Sequence, residues 1–267
     1  MTLITIDPGI CTKCGLCSIA CGFILSQEGM LPHPVPGIEG FCLRCGHCVG
    51  YCPTGALKHA EMPVTPKIEK SLEISFEQCV QLVKSRRSIR EFKDKAVPSE
   101  ECERIIEAAR YAPTGHNNQD VRWLVVNDRD KVREIADIGA RWLRGAMKTN
   151  ARMAEMFGNI IKLMDAGRDM FLQGAPAVVL TYAEKGNKVA EVDCIIALAY
   201  FDLLAKTAGL GCCWGGFMMM ASASYPEMIE AINLPEGCTP YGALMMGYPK
   251  YHYQRIPARK QANIDYR

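Results

Sequence analysis

The sequence predicts a two-domain chain of mixed helices and strands, in which a small cysteine-rich domain precedes a larger one. Eight of the fourteen cysteines fall between residues 11 and 52 of the 267-residue chain. From Ser75 onward cysteines are sparse, and ordinary helix and strand patterns begin. These later strand patterns are too few for a doubly wound parallel sheet, so we expect another mixed architecture.

Composition limits the classes of partner and compartment. The formal net charge is only +2, which gives no field strong enough to attract nucleic acid or a membrane surface. No apolar run approaches the roughly 20 residues that a membrane span needs. The first residues lack the basic and apolar regions of a signal peptide, and many free cysteines suit a reducing compartment. We therefore expect a cytoplasmic protein with no nucleic-acid or membrane partner.

The cysteine-rich domain contains one cysteine spacing twice. Each copy reads C-x2-C-x2-C-x3-C, matched positions are 31 residues apart, and Pro53 follows the second copy. This run resembles the cluster-binding sequence of bacterial two-cluster ferredoxins, in which the fourth cysteine of each run ligates the other cluster. The resemblance implies two [4Fe-4S] sites. The first site is Cys11, Cys14, Cys17 and Cys52, and the second is Cys42, Cys45, Cys48 and Cys21.

Two other uses of these cysteines are weighed against the clusters. Structural zinc sites take C-x2-4-C pairs separated by a longer spacer, unlike three cysteines within seven residues. A disulfide framework suits a short secreted chain, which this is not. His47, inside the second run, is expected to be a surface bystander because no cysteine ligand is missing.

The predicted elements follow in chain order. Residues 1–62 form the cysteine-rich domain, residues 63–75 a proline-containing linker, and residues 76–267 the larger domain. Ser99 is expected to cap a helix, and Asp128 another. The predicted strands are Leu3 to Ile6, Arg122 to Val126, Pro176 to Tyr182 and Tyr241 to Met246, and the predicted helices are Ser18 to Leu25, 76 to 84, a loosely patterned region at 131 to 172, 190 to 209, and a short helix from Pro226.

A basic segment begins the larger domain. Three guanidinium groups and a hydroxyl fall within RRSIREF at residues 86–92. Arginine forks bind phosphate bidentately, and a serine adds a donor. A solvated helix end would also carry such cations, so the residues alone leave both interpretations open.

Four segments of the larger domain together resemble the nitroreductase family of FMN flavoproteins. They are RRSIREF at 86–92, APTGHNNQ at 112–119, GLGCCWGGF at 209–217, and GYP at 247–249 with RIP at 255–257. The resemblance implies an α+β sandwich that forms a homodimer with FMN at the subunit interface. Matched by motif, the implied FMN contacts are Arg86, Arg87, Ser88, Arg90, Asn117, Cys213, Trp214, Gly215, Gly216 and Arg255.

The two resemblances together imply an FMN-dependent oxidoreductase in which two [4Fe-4S] clusters relay electrons to FMN. The acceptor would be a small molecule such as a nitroaromatic, a quinone or an activated alkene. The donor would be a one-electron partner such as a reduced ferredoxin, or NAD(P)H. The alternative is a non-catalytic electron-transfer or redox-sensing module that docks to a larger complex. Four cysteines outside the repeats, Cys79, Cys102, Cys194 and Cys238, are expected to be small core residues.

Overall fold

A computed structural model describes residues 2–267 of the chain. It divides into two compact units, the first comprising residues up to Glu73 with His116–Asn118, and the second Ile74–Gly115 with Gln119–Arg267. The strands are β1 (Ile4–Ile6), β2 (Ile24–Leu25), β3 (His33–Pro34), β4 (Leu57–His59), β5 (Arg122–Val126), β6 (Ala177–Glu184), β7 (Gly211–Trp214) and β8 (Cys238–Gly247). The helices are α1 (Leu16–Ala20), α2 (His47–Gly50), α3 (Phe76–Ser85), α4 (Ser99–Ala109), α5 (Arg129–Thr149), α6 (Ala151–Asp165), α7 (Ala190–Thr207), α8 (Gly216–Ser224) and α9 (Pro226–Ile232).

The first unit repeats its backbone as its sequence repeats. Gly15 and Gly46 precede α1 and α2 with φ of 74° and 73°, a left-handed conformation that glycine adopts without steric cost. Lys13 and Arg44, also 31 residues apart, have φ of 56° and 53°. β1 pairs with β4, and β2 with β3, both antiparallel. The duplication in the sequence is therefore a duplication of loop geometry.

A small apolar core holds the first unit together. Ile4, Ile24, Ile38 and Leu57 are almost fully buried, and several cysteines of the two repeats pack against them. A core of this size is small for independent stability, and domains of this size commonly depend on a metal or disulfides.

The second unit is built on one antiparallel sheet of order β5-β6-β8-β7. Alternate residues of β6 contribute to two separate cores: Val178 and Leu180 to one, Ala177 and Val179 to the other. Helices α5, α8 and α9 supply the first core, and α4 and α7 the second. Because both faces are covered, β6 is a continuous apolar run rather than an alternating one.

Several sequence-based boundaries change in the structure. The loosely patterned region is two helices, α5 and α6, separated at Asn150, whose side chain caps α6 by accepting from Met153 N. Asp128 caps α5 as predicted, accepting from Lys131 N. The cap predicted at Ser99 is wrong, because Pro98 occupies the N-cap position without a side-chain hydrogen bond. The first helix begins at Leu16 and ends before β2, which sequence patterns did not indicate.

The strand β7 was not predicted. From the sequence, residues 209–211 are the end of a helix and residues 213–216 a turn, whereas in the structure Gly211–Trp214 forms the edge strand paired with β8. Within residues 2–267, no helix is both long enough and apolar enough to cross a membrane.

Candidate cofactor sites

The first set of predicted cluster ligands lies around one small cavity. Cys11, Cys14, Cys17 and Cys52 all line it, so the fourth cysteine of the second run joins three from the first. Burial alone would raise the pKa of the Cys52 thiol. Hydrogen bonds from backbone groups, Leu57 foremost, outweigh burial and lower the pKa below its usual value. The thiolate that a metal requires is thus favoured at Cys52.

The second set meets around Cys48, which is 6% exposed. Burial, and the neighbouring thiols of Cys21, Cys45 and Cys42, raise the pKa of Cys48 to about 11. Cys21 of the first run therefore lies within electrostatic reach of the second run. Thiols that disfavour each other's ionisation are stabilised as thiolates by a bound cationic centre.

All fourteen cysteines are free thiols in this structure. Within residues 2–267, no three cysteine, histidine or acidic side chains are close enough to share a single metal ion. A cubane distributes its four thiolates over four irons, so its ligands stand further apart than those of one ion.

Two histidines contact the second cysteine set. His59 Nε2 lies 3.6 Å from Cys42 Sγ, and His47 Nδ1 lies 3.4 Å from Cys45 Sγ. His47 was expected to be a bystander, yet it touches a predicted ligand. Sequence reasoning missed His59 because nothing in its local pattern indicates that it is buried beside a cysteine.

In the second unit, the basic segment runs along β7. Ile89 N donates to Cys212 O at 2.9 Å. This approach needs Gly211, because a Cβ there would lie 2.4 Å from Ile89 Cγ1. Glycine at this position lets the two backbones meet.

A cavity of about 230 Å³ opens beside this contact. Arg86, Arg87, Asp202 and Tyr253 are among the residues that line it. Arg87 Nε is buried, and no hydrogen-bond partner is found for it among residues 2–267. Since a buried guanidinium donor without a partner is costly, the cavity suits an anionic guest.

Asp202 balances part of this positive charge. Its Oδ2 lies 3.2 Å from Arg86 Nη1, and its side chain is only 7% exposed. Burial raises the pKa of the Asp202 carboxyl, although Arg86 and the Trp214 side chain oppose that shift. The sequence showed Asp202 only as a charge interrupting an apolar helix, so its role as an arginine partner was missed.

The residues of β7 and the following turn that were predicted to contact FMN lie next to the basic segment. Burial raises the pKa of the Cys213 thiol, while the Arg90 charge and a hydrogen bond with Ser88 oppose the rise. Gly215 N donates to Ala243 O at 2.9 Å, which fixes the turn on β8. A Cβ at Gly216 would meet nothing within 4 Å, so the turn has an open side.

Asn117 and Arg255 are not among the residues that line the cavity beside the basic segment. Asn117 belongs to the first unit, where its Nδ2 donates to Leu43 O and Arg44 O, both at 3.0 Å. The preceding Gly115 N donates to both carboxylate oxygens of the buried Asp193, at 3.0 and 3.1 Å. Arg255 is exposed in the irregular segment after β8.

An antiparallel sheet between two helical layers, with an arginine-lined cavity beside one edge strand, defines a mixed α/β fold. Residues 83–248 match the Nitroreductase family, and the chain belongs to this family. The match does not extend to the cysteine repeats.

Individual relatives agree with this membership. An "FMN reductase [NAD(P)H]" of Bacillus subtilis is 26% identical over 191 residues, covering 71% of this chain and 73% of the relative. An "Iodotyrosine deiodinase" of Thermotoga neapolitana is 26% identical over 172 residues, covering 63% of this chain and 87% of the relative.

Solved structures share the fold. A nitroreductase with bound FMN from Desulfitobacterium hafniense has a TM-score of 0.58 at 23% identity, covering 72% of this chain and all of that structure (100%). A nitroreductase with bound FMN from Bacteroides fragilis has a TM-score of 0.53 at 22% identity, covering 70% of this chain and 98% of that structure.

Proposed function

We propose that this chain is an FMN-dependent oxidoreductase that reduces a small acceptor, such as a nitroaromatic, a quinone or an activated alkene. Its N-terminal unit would hold two [4Fe-4S] clusters that supply electrons to the flavin domain. Bound FMN supplies hydride transfer, and bound clusters supply one-electron transfer. Family membership, the arginine-lined cavity and the two cysteine sets support the proposal.

The unpartnered Arg87 Nε carries the FMN assignment. A phosphate monoester brings nearly two negative charges and several strong acceptor oxygens, which suit a buried guanidinium. Arg86 lines the same cavity, and its charge is partly neutralised by Asp202. Ser88 and Arg90, close to Cys213, would add a hydroxyl and a further cation. Together these residues would bind and orient the phosphate and ribityl chain.

The turn after β7 would hold the flavin ring. Cys213, Trp214, Gly215 and Gly216 place backbone groups beside the open side of the turn. Asn117 and Arg255 remain proposed contacts on the basis of their motif positions. No side-chain acid is assigned, and protons would come from water.

In the N-terminal unit, the cysteines themselves carry the assignment. One site would use Cys11, Cys14, Cys17 and Cys52, which share a cavity, and the other Cys42, Cys45, Cys48 and Cys21, which interact electrostatically. We assign residues 1–62 to the ferredoxin-like domain, 63–75 to a linker and 76–267 to the flavin domain.

Two classes of donor are compatible with the proposal. The iron-sulfur sites favour a one-electron donor such as a reduced ferredoxin, since a flavin supplied by NAD(P)H needs no cluster relay. The name of the B. subtilis relative, an FMN reductase that uses NAD(P)H, supports the second class. A reductive titration with each donor distinguishes them.

A homodimer is supported by helix α3. None of its ten residues is buried, although Phe76 and Val83 are apolar and 78% and 52% exposed. A helix with an uncovered apolar face gains stability by packing against a second chain. A second copy is the occupant that the family resemblance implies.

The phosphate assignment is tested by Arg87→Ala. We expect FMN affinity to fall by about 10- to 100-fold, the effect of losing a hydrogen bond to a charged group. Arg110→Ala is the matched control, because Arg110 pairs on the surface with Glu107 at 2.7 Å and should leave affinity unchanged. Unchanged FMN affinity in Arg87→Ala would refute the assignment.

A second experiment distinguishes an enzyme from an electron-transfer module. Only an enzyme should oxidise its reduced flavin faster when a small acceptor is added than in buffer alone.

A further inference from the structure

His59 is a buried histidine whose neutral tautomer follows from its hydrogen bonds. It ends β4 and is 2% exposed. Its Nδ1 accepts a hydrogen bond from Glu61 N at 3.1 Å. A ring nitrogen that accepts from a backbone N–H carries no proton, so in the neutral ring the proton lies on Nε2.

That Nε2–H group faces a predicted cluster ligand. Cys42 Sγ lies 3.6 Å away, within hydrogen-bonding distance for sulfur. Arg44 N also donates to Cys42 Sγ, at 3.4 Å. Cys42 is therefore positioned to accept two N–H···S bonds, one of them from a buried side chain.

The first repeat lacks this arrangement. The residue 31 positions before His59 is Glu28, which is exposed. The residue 31 positions before His47 is Leu16, which has no polar side chain. Among residues 2–267, imidazole nitrogens lie within hydrogen-bonding distance of a cysteine sulfur only at the second set, although the two loops share their backbone geometry.

Hydrogen bonds to cluster sulfurs are one of the factors that set reduction potential. A donor withdraws electron density from the thiolate and stabilises the reduced centre, which carries one more negative charge. Reduction adds one electron from the donor, breaks no bond and needs no proton.

We propose that His59 is a positioning residue that donates its Nε2–H to the Cys42 thiolate and thereby raises the reduction potential of the second cluster site. This inference rests on the proposed function, because it needs a cluster at the second cysteine set.

The test is an anaerobic redox titration of the full-length holoprotein, followed by electron paramagnetic resonance. His59→Leu removes the donor, and we expect one of the two cluster potentials to fall by a tenfold change in the reduction equilibrium, about 59 mV for one electron. His59→Gln retains an N–H donor and should preserve most of the potential. Glu28→Leu is the matched control in the first repeat and should change neither potential.

A second measurement covers the case in which His59→Leu loses its iron. Protein labelled with ¹⁵N in histidine only is reduced and measured by pulsed electron paramagnetic resonance in the His47→Leu background. A ¹⁵N coupling that disappears on adding His59→Gln supports the proposal. Absence of any such coupling, or unchanged potentials in iron-replete His59→Leu, overturns it. Wild-type protein without iron and sulfide would instead refute the proposed function, and this inference with it.

Discussion

At the scale of single residues, the cysteines outside the repeats differ sharply in exposure. Cys102, Cys194 and Cys238 are buried, as predicted. The prediction for Cys79 is wrong, because it is exposed on a helix that buries none of its residues. Its apolar neighbours in the sequence indicated that Cys79 packs in a core, but within this chain no residue of α3 is buried.

Thiol alkylation should separate ligands from bystanders. Cys14 and Cys45 are exposed, yet we expect both to resist alkylation in anaerobic holoprotein because cluster irons would bind their sulfurs. After iron is removed with a chelator, Cys14 and Cys45 should both react rapidly. Mass spectrometry of the alkylated peptides checks this, and rapid labelling of Cys14 before chelation would contradict it.

Buried thiols should make the fold sensitive to alkali. Burial, reinforced by Asp193, raises the pKa of Cys194 from 9.0 to about 11. The unfolded chain loses this proton near pH 9 while the folded chain retains it, so stability falls as pH rises from 9 towards 11. Urea titrations should show a shallower fall in stability with pH for Cys194→Ala than for the wild type. Equal slopes for Cys194→Ala and wild type would contradict the account.

At the scale of elements, the contact between the basic segment and β7 forms the candidate flavin site. Gly211→Ala places a Cβ against Ile89 and Pro249. We expect a loss of about 1–3 kcal/mol in stability from overpacking, and weaker FMN binding because Ile89 lies between Ser88 and Arg90. Thermal unfolding and FMN titration measure both effects.

Gly145→Ala is the control for this substitution. A Cβ at Gly145 meets nothing within 4 Å in α5, so alanine should stabilise the helix by about 0.5–1 kcal/mol. FMN affinity should not change. If Gly211→Ala proved as harmless as Gly145→Ala, the close packing of β7 against the basic segment would be incorrect.

The elements also show what sequence patterns can and cannot predict. Strands β6 and β8 were found because apolar runs bounded by glycine or proline indicate them directly, and β5 because its apolar run is followed by Asn127 and Asp128. β7 was missed because its four residues lie among glycines, which locally favour a turn, and only pairing with β8 makes them a strand. Local pattern likewise gave no sign that Asp202 reaches Arg86, which is 116 residues away.

Among the candidate sites, the sequence predicted most where ligand chemistry requires a fixed spacing. The eight cysteines and the basic segment were identifiable by motif alone. His59 and Asp202 were not, because their roles depend on burial and on partners brought close by folding. Residues that orient or tune other residues follow no fixed sequence spacing, so a motif does not reveal them.

At the scale of the whole molecule, the exposed apolar face of α3 predicts self-association. Phe76→Glu should convert a dimer to a monomer in light scattering, because it places a charge in an apolar contact. Val64→Glu is the control, since Val64 is 80% exposed in the linker region. If FMN lies at the subunit interface, the monomeric variant should also lose FMN. A Phe76→Glu variant that stays dimeric would exclude this face from the interface.

The central claim is that iron-sulfur clusters and a flavin reside on one chain. The most direct measurement is quantitation of iron, acid-labile sulfide and FMN in anaerobically purified protein, with the absorption spectrum of the same sample. We expect about eight irons, eight sulfides and one FMN per chain. Zinc in place of iron would contradict the electron-transfer role of the cysteine repeats, and absence of FMN would contradict the flavin site at Arg86 and Arg87.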